Sequence, residues 1–352
     1  MTKLTWRPPA AGFLILFTAA LSGVIQTLAT DTRSAAALAP LPQAQLVRAT
    51  GAALDEKTGL PVRVVHRASG IVLVLIPAGE FLMGSPADEV GRGRREDQHR
   101  RLIRQPFYLG ETEVTVAQFR KFAQATKYET DAERGVNEGG HTKGAFATTP
   151  DGKDPREWSA AANWRNPFPS LKDYRLNERH PVVQVSWNDA RRFVEHYGLQ
   201  LPSEAQWEYS ARAGSQTRFF WGETECEGLG FGNVRDVTGQ RRFSTWGLAF
   251  PFDDGVALLA PVGQYRPNAW GLRDLVGNVS EWCEDAYRTY PAEGGDEMAV
   301  TGARDASRVM RGSSWLDLPD FSRSAKRLGF APQGRRDFVG FRVALQAAVV
   351  KK

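Results

Sequence analysis

Apolar residues in this chain come in short runs separated by long polar stretches. The run GIVLVLIPAGEFLMGS (Gly70–Ser85) is rich in Val, Ile and Leu, and Pro77, Ala78 and Gly79 interrupt it. β-Favouring residues broken by turn formers predict a hairpin of two strands. A second strand pair is expected around PFYLGETEVT (Pro106–Thr115). Three helices are marked by their starts. Thr115 with Gln118 opens VAQFRKFAQATKY, Ser186 with Asp189 opens WNDARRFVEHYG, and Ser203 with Gln206 opens EAQWEYSARAG. A hydroxyl residue followed three positions later by an amide or acid lets the two ends satisfy each other's free N–H groups. The second and third helices are expected to stop at Gly198 and Gly214, where a left-handed residue costs little.

Ala132–Asp173 and Trp221–Pro261 show no period and are rich in Gly, Pro, Asn and Trp. Loops this long are uncommon in a compact domain unless they are packed. The density of Trp and Gly predicts packed loops with room for bound ions. There is no internal repeat, and the elements intermix. The expectation is one α+β domain over residues 71–346, after a leader at 40–70 and before a short tail at 347–352. Lys3 and Arg7 precede the apolar stretch GFLILFTAALSGVIQTLA (Gly12–Ala29), and Ala37, Leu38 and Ala39 follow. That order describes a secretory signal peptide over residues 1–39. Its apolar core lies near the lower limit for a membrane span, so an uncleaved anchor is the alternative. Either way the rest is expected outside the cytoplasm, periplasmic or extracellular. Membrane contact is expected through that segment alone.

Composition narrows the chemistry. The 352 residues are 42% hydrophobic and 24% charged, with 10 Trp, 34 Gly and a net charge of +5. These values fit a globular domain pinned by aromatic anchors. Much of the positive charge lies in GRGRREDQHRRLIR (Gly91–Arg104), which reads as a solvated loop. No stacking platform or basic helix accompanies it, so no nucleic-acid partner is expected. The two cysteines, Cys226 and Cys283, are open to either reading, one disulfide or two free thiols. The five histidines lack the spacing of a zinc site. There is no G-x-S-x-G, P-loop or G-x-G-x-x-G. Two acidic stretches, FPFDDGVALLAPVG (Phe250–Gly263) and NAWGLRDLVGNVSEW (Asn268–Trp282), offer carboxylates in irregular loops. Calcium uses such loops, but on pattern alone turn acids bonding their own backbone are favoured.

The blocks FLMGS, ETEVTVAQF, ANWRNP, HPVVQVSWNDA, GLQLPSEAQWEYSARAG, FFWGE, NAWGLRDLVGNVSEW, RGSSW and VGFRVAL occur in this order. They resemble the formylglycine-generating enzyme (sulfatase-modifying factor) family over roughly Val72 to Leu345. The resemblance implies a single compact, irregular α+β domain, distantly C-type-lectin-like, with little regular secondary structure. It also implies structural Ca²⁺, which then outweighs the turn-acid reading. A first site would use Asn233, the Val234 carbonyl, Asp254 and the Val256 carbonyl. A second would use Asp274, the Gly277 and Val279 carbonyls and Glu281.

Sulfatase-activating members of that family carry two cysteines after an R-G-G-S motif, and those thiolates hold Cu(I). Here the corresponding segment reads WLDLPDFSRS (Trp315–Ser324) and holds no thiol. A hydroxyl does not replace a soft thiolate, so copper is not expected. The segment offers Ser314, Trp315, Asp317, Asp320, Arg323 and Arg327 as pocket candidates, with acid and guanidinium groups able to orient a zwitterion. Three functions remain open. One is an exported oxidoreductase with non-cysteine chemistry, resembling a periplasmic pyoverdine-maturation oxidase of the same fold. Another is a calcium-braced binding or assembly module for a small molecule, peptide or protein. The last is formylglycine generation with relocated ligands, which requires Cys226 and Cys283 to converge.

Overall fold

The computed structural model describes residues 45–152, 156–247, 250–290, 302–303 and 305–347. The signal segment and the end of the C-terminal tail lie outside the described residues. The chain opens with β1 (Leu46–Arg48), β2 (Arg63–His66), β3 (Val72–Ile76), β4 (Gly79–Met83), β5 (His99–Ile103) and β6 (Phe107–Gly110). Helices α1 (Val116–Thr126) and α2 (Asp131–Arg134) follow, then β7 (Ala145–Ala147) and β8 (Glu157–Ser159). Next come α3 (Trp187–Tyr197), α4 (Glu204–Arg212) and α5 (Val237–Arg242). The chain closes with β9 (Ser280–Ala286), β10 (Arg308–Arg311), β11 (Leu328–Phe330), β12 (Val339–Gly340) and β13 (Ala344–Gln346).

Two sheets carry the fold. One is antiparallel with order β1-β2-β3-β6-β13; the other has order β11-β10-β9-β12. The stretch read as a leader therefore supplies two strands of the larger sheet, and the domain starts earlier than Ile71. The interrupted apolar run does not form a hairpin. β3 pairs with β2 and β6, whereas β4 pairs with β5. Pro77 has no N–H to continue the ladder, and the chain leaves one sheet for another there. The end of the basic run is no solvated loop either. In β5, Arg101 and Ile103 face inward while Arg100 and Leu102 face out, the alternation of a half-buried strand. Only one strand, β6, forms in Pro106–Thr115.

The three expected helices are present, each with a reciprocal capping box at Thr115, Ser186 and Ser203. Gly198 ends α3 in the left-handed region, but Ala213, not Gly214, does so for α4. The short α2 and α5 fall inside stretches that showed no period. α1 and α3 press their aromatic faces together, with Phe119 stacked on Phe193 at 5.9 Å and edge-on to Trp164 at 5.2 Å. Helix α4 differs, because all its residues are buried, Glu204, Gln206, Glu208 and Arg212 included. A helix buried on every side needs partners for each polar group, and they come from several directions: Arg327 and Tyr290 for Glu204, Arg311 of β10 and Gly84 for Glu208, and the Gly84 and Thr217 carbonyls for Arg212.

Candidate functional site

The β10–β11 connection begins with a tight turn. Gly312 has φ +96°, and a Cβ there would lie 2.9 Å from the Trp207 ring. Ser313 is also left-handed, and its Oγ accepts from the Gly277 N–H at 3.1 Å, beside the Gly312 carbonyl at 2.8 Å. Trp315 N–H donates to the Asn278 carbonyl at 3.1 Å. The RGSSW and GLRDLVGNVSEW blocks are thus clamped against each other.

Beyond this turn, Ser314 Oγ donates to Asp317 Oδ2 at 2.6 Å, and Asp317 N–H donates back to the Ser314 carbonyl at 3.1 Å. Ser314 is fully buried and Asp317 half-buried. Burial raises the Asp317 carboxyl above the ordinary aspartate range, opposed by the Ser314 hydroxyl and the charges of Arg156 and Lys326. Trp315 is not an open wall. It is buried among Phe168, Phe243 and Trp246, with ring centroids at 5.9, 6.2 and 5.8 Å, and its Nε1 donates to the Asp337 carbonyl at 3.3 Å. Trp246 is half-buried, and the Arg235 guanidinium lies 4.7 Å from its ring centroid.

The remaining pocket candidates are distributed differently. Arg323 is enclosed by Glu89 at 2.6 Å and Glu96 at 2.8 Å. Arg327 makes two bonds to Glu204, at 2.7 and 2.5 Å. Asp320 is exposed and pairs with Arg218 at 2.6 Å. Arg311, beneath the turn, bonds Glu208 and the carbonyls of Ser324, Ala325 and Lys326 at 3.0, 2.8 and 2.7 Å. Glu208 also accepts from Arg212 at 2.9 Å and from the Gly84 N–H at 2.8 Å. Arg311 and Arg327 brace the connection onto α4 and Arg323 braces it onto the β4–β5 loop, while Ser314 and Asp317 come together at its front.

In the first loop expected to hold calcium, Asp254 accepts from the Val234 and Val256 N–H groups at 3.0 and 2.8 Å. Asn233 Oδ1 is buried with no donor. Burial and the nearby Asp236 push the Asp254 carboxyl up to about 7. A buried carboxylate beside an open amide oxygen suits an oxygen-seeking cation. In the second loop Asp274 Oδ1 and Glu113 Oε2 are both buried without donors. Burial, with Asp274 beside it, raises the Glu113 carboxyl well above its usual range. Glu281 is committed elsewhere: Arg342 reaches both its oxygens at 2.7 Å, and Trp207 Nε1 donates to one at 2.7 Å. The residues present thus fit Ca²⁺ through Asn233, Asp254 and Asp274, and Glu113 presents the open carboxylate oxygen that Glu281 lacks. Among the described residues, no three His, Cys, Asp or Glu side chains cluster as a metal site; the fit draws on amide and backbone oxygens.

Both cysteines are free. Cys226 is exposed in the short 3-10 turn Glu225–Gly228, and Cys283 is buried in β9 beside Trp207 and Leu275. Burial, followed by Glu204 and Asp285, pushes the Cys283 thiol well above its usual range. Sequence reasoning missed Arg235, Arg156, Lys326 and Glu113. Lys326 lies two residues beyond the Trp315–Ser324 segment. The others lie 82 to 204 positions from Asp317 and carry no local signal.

Two sheets with few helices and long docked loops define an irregular α+β domain. Residues 63–347 match the Sulfatase-modifying factor enzyme 1-like domain. The chain is 36% identical over 292 residues to a formylglycine-generating enzyme of Streptomyces coelicolor, covering 78% of this chain and 89% of that protein. It is 32% identical to a mouse protein named inactive C-alpha-formylglycine-generating enzyme 2, covering 80% and 87%. The structure of PvdO from Pseudomonas aeruginosa superposes with a TM-score of 0.59 at 28% identity, covering 79% and 95%. This chain belongs to the formylglycine-generating-enzyme-like, or sulfatase-modifying factor, family.

Proposed function

We propose that this protein is an exported family member that works without thiol-held copper and binds a polar ligand at the Ser314–Asp317 turn. One observation carries the reading. The front of the connection presents a half-buried carboxyl, while the two thiols lie elsewhere, one exposed and the other buried in β9. A carboxyl whose proton affinity burial raises, oriented by a buried hydroxyl, is suited to hold or pass a proton to a bound ligand. The charged N-terminus and apolar stretch support export. Ca²⁺ would be held by Asn233, Asp254, Asp274 and Glu113, and would brace the loops against which RGSSW is clamped.

A second reading, a binding module without catalysis, draws on the mouse relative named inactive. Turnover separates the two, and copper tests what they share. The mature protein should take up no stoichiometric Cu(I) in an anaerobic titration. It should form no aldehyde on a cysteine peptide bearing a sulfatase motif. Stoichiometric copper together with aldehyde formation would sink both readings and restore formylglycine generation.

A further inference from the structure

The loop between β1 and β2 folds against the larger sheet and is locked by its own bonds. Leu54 pairs with Pro61 as an isolated antiparallel bridge, and the Val62 N–H donates to the Ala53 carbonyl at 3.0 Å. Asp55 Oδ1 accepts the Thr58 N–H at 2.8 Å and the Thr58 hydroxyl at 2.6 Å, a turn held by its own side chain. Tyr108 of β6 ties this loop to the sheet, because its hydroxyl donates to the Pro61 carbonyl at 2.9 Å. Loop and sheet together line a cavity of about 340 Å³. Leu46, Leu54, Leu60, Val64, Leu345 and the Tyr108 ring supply its apolar surface. A cleft of this size, mostly apolar with few polar groups, is the usual form of a small-molecule site. Leu54 is 50% exposed although it lines the cavity, so apolar surface remains open there.

Arg48 is the only charged residue in the lining. Its Nε donates to the Ala52 carbonyl at 2.6 Å and its Nη2 donates to the same oxygen, which fixes the plane of the guanidinium. Nη1 has no acceptor among the described residues, and Arg48 makes no ion pair among them. The other polar side chains of the lining are already engaged. Gln346 Nε2 donates to Gln105 Oε1 at 3.2 Å and to the Pro106 carbonyl at 3.1 Å, and the Tyr108 hydroxyl is spent on Pro61. The cavity therefore offers an apolar wall and one oriented cation with a donor to give. A guanidinium with a free N–H edge prefers a carboxylate, and a wall without open polar groups prefers plain hydrocarbon.

We propose that this cavity binds a medium-chain aliphatic carboxylate, with its head on Arg48 Nη1 and its chain against Leu54, Leu60, Val64 and Leu345. Removal of the chain from water drives binding, and Arg48 selects an anionic head over a neutral or cationic one. The cavity shares no lining residue with the Ser314–Asp317 turn, so the two sites stand or fall independently.

The test is calorimetric titration of the full-length mature protein with octanoate and with 1-octanol. Octanoate should bind saturably, one per chain, and about fivefold more tightly than the alcohol, the reach of an exposed ion pair. Leu54→Asp should weaken octanoate about tenfold or more. Leu54 is half exposed, so this change spares the fold. Arg48→Gln should bring octanoate down to the affinity of octanol and leave octanol unchanged, and Arg48→Lys should restore the preference for the acid. Equal binding of acid and alcohol by the unaltered protein overturns the proposal. So does octanoate binding that neither Leu54→Asp nor Arg48→Gln changes, which places the acid elsewhere. The absence of saturable binding up to about 10 mM also overturns it. In that case sedimentation as a dimer, lost in Leu54→Asp, would make a second copy of the chain the occupant.

Discussion

Arg311 and Arg235 serve the same β10–β11 connection in contrasting ways. Arg311 is fully buried; its two terminal nitrogens bond Glu208 and three backbone carbonyls, and only its Nε is left without an acceptor. Arg235 is half-buried, and its guanidinium makes no polar contact among the described residues. Residue type is the same, and the difference is in the supply of acceptors. Behind the connection, Glu89, Glu96, Glu204 and Glu208 meet Arg323, Arg327, Arg311 and Arg212. In front, the Arg235 guanidinium has no acceptor among the described residues and stacks on Trp246 instead. Paired charges fix a loop in place, and a rigid back makes an unpaired donor in front usable by a ligand.

The comparison breaks most readily at the back. Glu208→Gln leaves Arg311 buried without its carboxylate, which should cost about 3–5 kcal/mol. Urea unfolding should show this as a large fall in midpoint, or the variant should fail to accumulate. A small effect would mean that the network is not the brace described here.

Chelation comes next. If Ca²⁺ clamps the loops, saturating EGTA should lower stability by about 2–4 kcal/mol. Asn233→Ala should remove part of that sensitivity, measured by thermal melting with and without the chelator. An unchanged melting temperature would refute the calcium reading.

Acid should then strain the wall of the site before the brace. His180 Nδ1 accepts from the Asn177 N–H at 3.3 Å and bonds Tyr174 Oη at 2.8 Å; Tyr174 packs on Phe168, which packs on Trp315. Burial lowers the His180 pKa from 6.5 to about 4. The unfolded chain therefore binds a proton between pH 6.5 and 4 that the folded chain refuses, so stability falls as pH drops through that window. The loss reaches at most about 3 kcal/mol. His180→Gln should flatten this slope in melts recorded across it. The smallest effect belongs to the front: Ser314→Ala and Asp317→Asn should each change stability by about 1 kcal/mol or less while altering ligand binding. A large destabilisation by Asp317→Asn would make the front a second brace.

How far the sequence disclosed this arrangement depended on distance along the chain. The capping boxes at Thr115, Ser186 and Ser203 lie within four residues and were legible. Ser314 and Asp317 were named among the pocket candidates, but their pairing three residues apart was not read. The partition of Gly70–Ser85 between two sheets was not legible, because β3 and β4 choose partners by long-range pairing. Arg323 and Arg327 looked like pocket residues because their partners, Glu96 and Glu204, stand 227 and 123 positions away. Arg235 was missed for the same reason. The family blocks conveyed the fold, but the division between bracing and open cations is a property of the assembled molecule.

Helix α4 carries Glu204 and Glu208 one turn apart, two like charges that repel in an isolated helix. Arg212, one turn on, pairs with Glu208, but Arg327 for Glu204 and Arg311 for the second Glu208 oxygen arrive 123 and 103 residues later. A chain emerging in order from its N-terminus therefore presents α4 long before it can be buried. Its burial is deferred until β10 and β11 have appeared, so the domain closes late and through contacts of high sequence separation. A chain cut short before Arg308 would retain α4's sequence and all its caps, yet lack the cations that allow it into the core.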